Sequence, residues 1–282
     1  MAPPRQSGHV SRRAVLRALS AGAVGAAVGS SYYGYDNERH RIGTTRTTLA
    51  VSGLPGAFVG LRVALLTDLH LSPLVEADDI AKSVSMTLAE RPDLIILGGD
   101  YVTWGHEQFV GPVAELLSPL TAPLGVLAVL GNHDSDAEVT AALARNRFTV
   151  LRDAHTRVEQ RGDSLDFLGV RYWTRQASTI AGLIDEPGNV NILLAHDPRR
   201  IAEAAALNIP LVLSGHTHGG QIVLPGLGAW NRGFFPTMHG TLERENSLLF
   251  VSRGIGTVYV PMRINCPPEI AMLTLERRGS LG

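Results

Sequence analysis

Residues 208–225 read NIPLVLSGHTHGGQIVLP. The run from Ile209 to Leu213, interrupted at Pro210, has the character of a buried strand. It breaks into a loop where His216 and His218 stand among Gly215, Gly219 and Gly220. Two imidazoles two residues apart on a rigid turn suit two neighbouring metal ions. Taken alone, the pair is equally well explained as exposed loop histidines.

Other apolar runs end the same way. RVALLTDLH (62–70) ends in Asp68 and His70, and DLIILGGD (93–100) ends in Asp100. LGVLAVLGNHD (124–134) ends in Asn132, His133 and Asp134, and NVNILLAHD (189–197) delivers His196. Five short strands, each carrying a carboxylate, amide or imidazole at its C-terminal end, are the layout of an α/β active site.

The intervening segments fit that layout. Ile80, Val84 and Leu88 recur at helical spacing within 76–90, which Arg91-Pro92 closes. Helices are predicted over 107–118, with Pro112 a blemish inside, over 136–146 and over 198–207. From 148 to 172 the period changes to two (FTVL, HTRVEQ, SLDFLGVR), which predicts antiparallel strands turning at Arg161-Gly162. Further strands are expected at 45–51, 248–252 and 269–275. Residues 225–247, with Trp230, Phe234, Phe235 and Met238, lack a period and are predicted to be a long functional loop. These are too many strands for one doubly wound sheet. An α/β sandwich of two mixed sheets packed face to face, with helices outside each, accounts for them better. No G-x-G-x-x-G follows the first strand and no G-x-x-x-x-G-K-[ST] occurs, so nicotinamide and P-loop chemistry are disfavoured.

The 282 residues carry a formal charge of −1, with Lys82 as the single lysine and Cys266 as the single cysteine. One cysteine rules out an intrachain disulfide and a thiolate cluster. The first 31 residues contain Arg5, Arg12, Arg13 and Arg17, no acid, and then an Ala/Gly-rich stretch. A basic start before an apolar run of 11–14 residues reads as an export signal rather than a bilayer span. Ser11-Arg12-Arg13-Ala14-Val15-Leu16-Arg17 resembles the twin-arginine signature, which implies the twin-arginine export machinery as a partner and a location in the periplasm, in the cell wall or at the outer face of the cytoplasmic membrane. No clean A-x-A site follows, so an uncleaved segment would serve as a weak membrane tether. Without those four arginines the formal charge falls to −5, which disfavours a nucleic-acid partner. The expected division is 1–31 signal or tether, 32–56 linker and leading strand, and 57–278 catalytic domain.

Asp68, His70, Asp100, Asn132, His196, His216 and His218 offer hard oxygen and borderline nitrogen without sulfur, which suits Mn²⁺, Fe²⁺ or Zn²⁺ rather than Ca²⁺. There are too many groups for one ion, and Asp100, on the middle strand, is the natural bridge between two. Two divalent ions with two carboxylates and a bridging hydroxide leave about +1 on the cluster, which attracts a phosphodiester. The hydroxide would attack phosphorus in line with the leaving oxygen. His133 is placed to bind a phosphoryl oxygen or protonate the leaving alkoxide, and Asp134 to hold its tautomer. Asp166 and Asp197 read as capping or surface groups, and Cys266 as buried.

The order D-x-H, G-D, G-N-H-[DE], H, G-H-x-H is similar to that of the calcineurin-like metallophosphoesterase family, over about residues 58–277. The resemblance implies a four-layer α/β/β/α sandwich. It implies one metal ion on Asp68, His70, Asp100 and His218, a second on Asp100, Asn132, His196 and His216, and His133 as the catalytic histidine. G-H-T-H-G-G-Q-I-x-x-P (215–225) and R-x-N-C-P-P-E (263–269) resemble an exported bacterial phosphodiesterase subgroup. The expected substrate is therefore a phosphodiester, in its lipid-linked or envelope version. The alternative is a lipid-linked pyrophosphate such as UDP-2,3-diacylglucosamine, and a metal-dependent envelope scaffold is a third reading.

Overall fold

The computed structural model describes residues 11–186 and 188–279. In chain order its elements are α1 (Arg12–Asp36), β1 (Gly43–Val51), β2 (Arg62–Leu66), α2 (Ala77–Ala89), β3 (Leu94–Leu97), α3 (Val110–Leu117) and β4 (Val126–Ala128). Then come α4 (Asp136–Arg145), β5 (Thr149–Val150), β6 (Ala154–Gln160), β7 (Asp163–Gly169), α5 (Ala177–Ala181), β8 (Asn191–Leu194), α6 (Ile201–Ala206) and β9 (Leu211–Ser214). The chain closes with β10 (Val223–Leu224), β11 (Gly228–Ala229), β12 (Gly240–Arg244), β13 (Ser247–Val251) and β14 (Glu269–Arg277).

Two six-stranded mixed sheets form, in the orders β1-β14-β2-β3-β4-β5 and β12-β13-β9-β8-β7-β6. The apolar runs are continuous because both faces of the inner strands are covered. Val63 and Leu65 of β2, Leu94 and Ile96 of β3, Ile192 and Leu194 of β8, and Leu211 and Leu213 of β9 meet in one core between the sheets. Their alternate neighbours Ala64, Leu66, Ile95 and Leu97 turn outward under α2, α3 and α4. Leu193 and Val212 likewise turn outward beneath α5 and α6. The result is the expected four-layer α/β/β/α sandwich.

Several local expectations are corrected. Residues 32–36 belong to α1 and 38–40 form a 3₁₀ turn, so the irregular linker expected over 32–44 is mostly ordered. The leading strand β1 pairs in parallel with β14 along nine residues, as an edge strand of the first sheet. FTVL does not join the antiparallel pair: its β5 pairs in parallel with β4, while β6 and β7 make the hairpin in the other sheet. Pro112 is harmless because α3 starts at Val110, which puts the proline in the first turn, where its missing N–H has no helical partner to lose. The stretch 225–247 is not all loop. β11 pairs with β10, and β12 pairs antiparallel with β13. β12 shows no apolar alternation because it is an edge strand with none of its residues buried.

α1 runs for 25 residues from a Ser11 cap, about 37 Å at 1.5 Å per residue. Its apolar window is unburied, and by length and composition it is sufficient to cross a membrane. The helix extends beyond the 11–14-residue apolar run at both ends, taking in Arg12 to Arg17 before it and Tyr32 to Asp36 after it.

Candidate metal centre

Each candidate ligand sits just past a strand end, on a backbone that has to turn at once. Asp68, His70, Asp100, His216 and His218 all adopt left-handed φ, between 51° and 73°. Such conformations are uncommon for residues with a Cβ and persist where the surroundings over-determine them, typically at functional sites. Glycine provides the space. A Cβ on Gly99 (φ 96°) would lie 2.5 Å from the Gly131 nitrogen and 2.9 Å from His196 Nδ1. One on Gly254 (φ 67°) would lie 2.6 Å from the Asp68 Cβ.

The two sheets bring these loops together. Donor atoms of Asp68, His70 and His218 converge within 4.8 Å of one another, as do those of Asp100, His196 and His216. His70 Nε2 and His218 Nε2 are 3.1 Å apart, and His218 Nε2 lies 3.5 Å from Asp68 Oδ1. Asp100 Oδ2 lies between the groups, 3.4 Å from His70 Nε2 and 3.1 Å from His196 Nε2. Metal–ligand bonds of about 2.0–2.1 Å at right-angled to tetrahedral spacing put neighbouring donors about 2.9–3.4 Å apart. The observed separations of 3.1–3.5 Å are close to the edges of such polyhedra. Asn132 Oδ1 and His218 Nδ1 are buried without a hydrogen-bond partner. Buried polar atoms left this way are costly unless something binds them. The donor set, its spacing and these unpartnered atoms fit a binuclear divalent metal site.

Outer contacts aim the ligands. His196 Nδ1 lies 2.7 Å from the Gly98 carbonyl, which fixes that nitrogen as the donor and turns Nε2 toward the carboxylates. Asp100 Oδ1 accepts the His133 N–H at 2.9 Å, leaving Oδ2 to face both groups. Asp68 accepts the Thr67 hydroxyl and the His216 N–H.

His133 stands beside this cluster, its donor atom within 4.8 Å of those of His70 and Asp100. Its Nδ1 accepts the Trp104 N–H at 3.0 Å, so in the neutral ring the proton is on Nε2. Asp134, expected to hold that tautomer, does something else. Its carboxylate accepts the N–H groups of Asp100, Tyr101 and Gly131, each at 2.8 Å, tying the β3 loop to the β4 loop. Asp197 caps a 3₁₀ turn through the Arg199 N–H, and Asp166 pairs with Arg157.

Two residues at the site, Tyr172 and Arg263, are not of ligand type. The Tyr172 hydroxyl is 3.4 Å from His216 Nε2 and accepts from Arg199 at 3.3 Å. Tyr172 follows β7, so its signal is position: it leaves the sheet edge that delivers His196 and His216. Arg263 is fully buried, and no carboxylate pairs with it among the described residues. It donates instead to the carbonyls of His218, Arg253, Gly254, Gly256 and Cys266. It thereby holds the 253–256 loop, whose Gly256 N–H bonds the Asp68 carbonyl at 2.7 Å.

Burial and mutual charge set the protonation states. Burial pushes His216 down to about 3, with repulsion from His196 adding to it. Burial, His70 and Arg263 hold His218 well below the usual imidazole range. Burial also lowers His133, against the pull of Asp100. His196 is the exception: burial opposes its charge, but Asp100, Asp68 and the Gly98 carbonyl raise it to about 10. Burial would raise Asp100, yet His196 and His70 hold it well below the carboxylate range. Asp134 is raised to about 6 by burial and by repulsion from Asp100, against the amides it accepts. At neutral pH the cluster therefore offers neutral imidazoles from His216 and His218, and holds a proton at His196 that a cation would displace.

Sandwich and site together define a metal-dependent hydrolase. Calcineurin-like phosphoesterases match as a family over residues 61–220, and the chain belongs to that family. It is 33% identical over 285 residues to the uncharacterized metallophosphoesterase YkuE of Bacillus subtilis, covering 95% of this chain and 98% of that protein. It is 27% identical over 284 residues to the phosphodiesterase YaeI of Escherichia coli, covering 94% and 99% respectively. Among solved structures, the NAD nucleotidase NadN of Haemophilus influenzae shares the fold, with a TM-score of 0.51 at 15% identity. That likeness covers 69% of this chain and 45% of NadN.

Proposed function

We propose that the chain is a two-metal phosphodiesterase of the exported type. The observation that carries this reading is the single Asp100 oxygen set between His70 and His196, at 3.4 and 3.1 Å. One ion would be held by Asp68, His70, Asp100 and His218, the other by Asp100, Asn132, His196 and His216, with Mn²⁺, Fe²⁺ or Zn²⁺ suiting those donors. When bound, such a pair polarises phosphoryl oxygens and lowers the pKa of water.

The chain's own groups do the rest. His133, beside the His70 and Asp100 donors and protonated on Nε2, would serve a phosphoryl or leaving-group oxygen as hydrogen-bond and proton donor. The Trp104 N–H keeps that tautomer. Asp134 acts as a positioning residue that locks the Asp100 and Asn132 loops together. A diester rather than a monoester is favoured by a cavity of 570 Å³ that opens beside His216 and His218 and would take the second ester substituent. The relative named as a phosphodiesterase supports the same choice.

Residues 1–31 are the targeting segment, of which 1–10 lie outside the described residues. Residues 32–56 form the connection and leading strand, and 57–278 the catalytic domain. Arg12-Arg13 at the start of α1 supports export by the twin-arginine machinery and retention at the outer face of the cytoplasmic membrane.

The test is manganese-dependent turnover of bis(p-nitrophenyl) phosphate against p-nitrophenyl phosphate. Diester preference is expected, and His133→Ala should keep its metal content while losing about a hundredfold or more in turnover. Monoester preference, or an undiminished His133→Ala protein, would overturn the reading. Products of UDP-diacylglucosamine analysed by mass spectrometry would separate the lipid-linked pyrophosphate alternative.

A further inference from the structure

The cavity beside the metal centre is apolar where a soluble diester would want polar groups. His216 and His218 stand at one side of it, and Ile222, Trp230, Phe234, Phe235, Val258 and Tyr259 form much of its wall. Phe235 meets the His216 ring edge-on at 5.2 Å, so the apolar wall reaches the metal ligands themselves. At the rim, Trp230 is 79%, Phe234 66% and Tyr259 81% exposed. Aromatic side chains clustered at a pocket mouth and left in solvent mark a surface that meets something apolar.

The mouth also adjoins the end of α1. The Gly34 carbonyl accepts the Arg263 N–H at 3.1 Å, and a Cβ on Gly34 would lie 2.9 Å from the Ile264 side chain. Ile264 in turn bridges to Ile222 of the cavity wall. One continuous path therefore runs from helix to Ile264 to cavity. α1 carries Arg12, Arg13 and Arg17 near its start and Tyr32, Tyr33 and Tyr35 at its end, with its apolar window unburied. Basic residues before an apolar helix and tyrosines after it are the flanks of a segment seated in a bilayer, basic end inside. A helix so placed holds the part of the domain that includes Ile264 and the Ile222 wall of the cavity close to the bilayer surface.

We propose that the cavity takes an acyl chain of a membrane glycerophospholipid, so that the substrate is a lipid phosphodiester drawn directly from the bilayer that holds α1. This rests on the phosphodiesterase reading above and adds its substrate class. Water adds to phosphorus, one P–O ester bond breaks, and the departing alkoxide takes a proton. The products are a phosphomonoester and an alcohol, with the acyl chains untouched. The aromatic rim enters the headgroup region and the cavity shields the chain between leaflet and metal centre.

The experiment uses the full-length, metal-loaded chain in phosphatidylglycerol vesicles, with bis(p-nitrophenyl) phosphate in free solution as the reference substrate. Trp230→Glu and Phe234→Glu should each lower the ratio of phosphatidylglycerol turnover to reference turnover about tenfold or more, the loss expected when one aromatic no longer buries itself. An unchanged ratio in both variants would overturn the proposal. A second readout does not need turnover: brominated acyl chains should quench a fluorescence component that Trp230→Phe removes. A vesicle-bound chain whose Trp230 is unquenched would overturn the proposal even with hydrolysis intact. Failure of the reference substrate alongside quenched Trp230 would count against the phosphodiesterase reading and leave lipid contact standing.

Discussion

Asp100 does two jobs with two oxygens. Oδ1 is committed to the His133 amide and Oδ2 to the imidazoles on either side. The buried charges around it share a proton that sits mainly at His196, raised to about 10 by Asp100 and Asp68 despite burial. A raised imidazole stabilises the metal-free fold below its unfolded pKa of about 6.5 and loses that contribution as pH climbs through about 10. A metal ion competes with the same proton. Metal uptake at pH 7.5 should therefore release about one proton per chain, and affinity should rise with pH between about 7 and 9. Calorimetry in buffers of different ionisation enthalpy would show it; uptake without proton release would contradict the electrostatics described. The residues that converge here were legible in the sequence because aspartate, asparagine and histidine kept appearing where apolar runs stopped. Tyr172 and the actual partners of Asp134 were not, because their bonds run to a ring nitrogen or to backbone groups that only the folded chain brings near; Arg263 stood out as the head of R-x-N-C-P-P-E, but the carbonyls it serves did not.

Arg263 is the clearest case of an element held by one side chain. A buried guanidinium satisfies carbonyls from three segments, 218, 253–256 and 266, and so fixes the loop that covers Asp68. Removing it leaves several carbonyls buried without donors, at about 1–3 kcal/mol each. Arg263→Met should lower stability by about 3 kcal/mol or more in urea titrations, and Arg263→Lys should recover only part of that, since an ammonium lacks the planar fork. A Met variant as stable as the parent would remove Arg263 from the account. At this scale the sequence is legible where both strand faces are apolar, as in β2, β3, β8 and β9. The edges are harder to read. β12 carries a single apolar residue, Leu242, and no residue of it is buried, so it lacks a strand signature. β5 is two residues long, and a period of two does not say which sheet a strand joins.

Across the whole molecule, two sheets aim their parallel strands so that the C-terminal ends of β2, β3 and β4 meet those of β8 and β9 at one edge. Five separate stretches, spread over residues 68–218, become one site only because the core between the sheets fixes their relative position. The four-layer arrangement was legible from strand count and from the order of helices and hairpins. The docking of α1 onto Ile264 was not, since an Ala/Gly-rich helix gives no hint of what its last turn touches. The central claim is that this edge holds two ions bridged by Asp100. Anomalous diffraction from crystals of the manganese-loaded protein tests it most directly. The account predicts two peaks about 3.5–4 Å apart on either side of the Asp100 Oδ2, one among Asp68, His70 and His218, the other among Asn132, His196 and His216. A single peak, or two peaks that do not share Asp100, would contradict it.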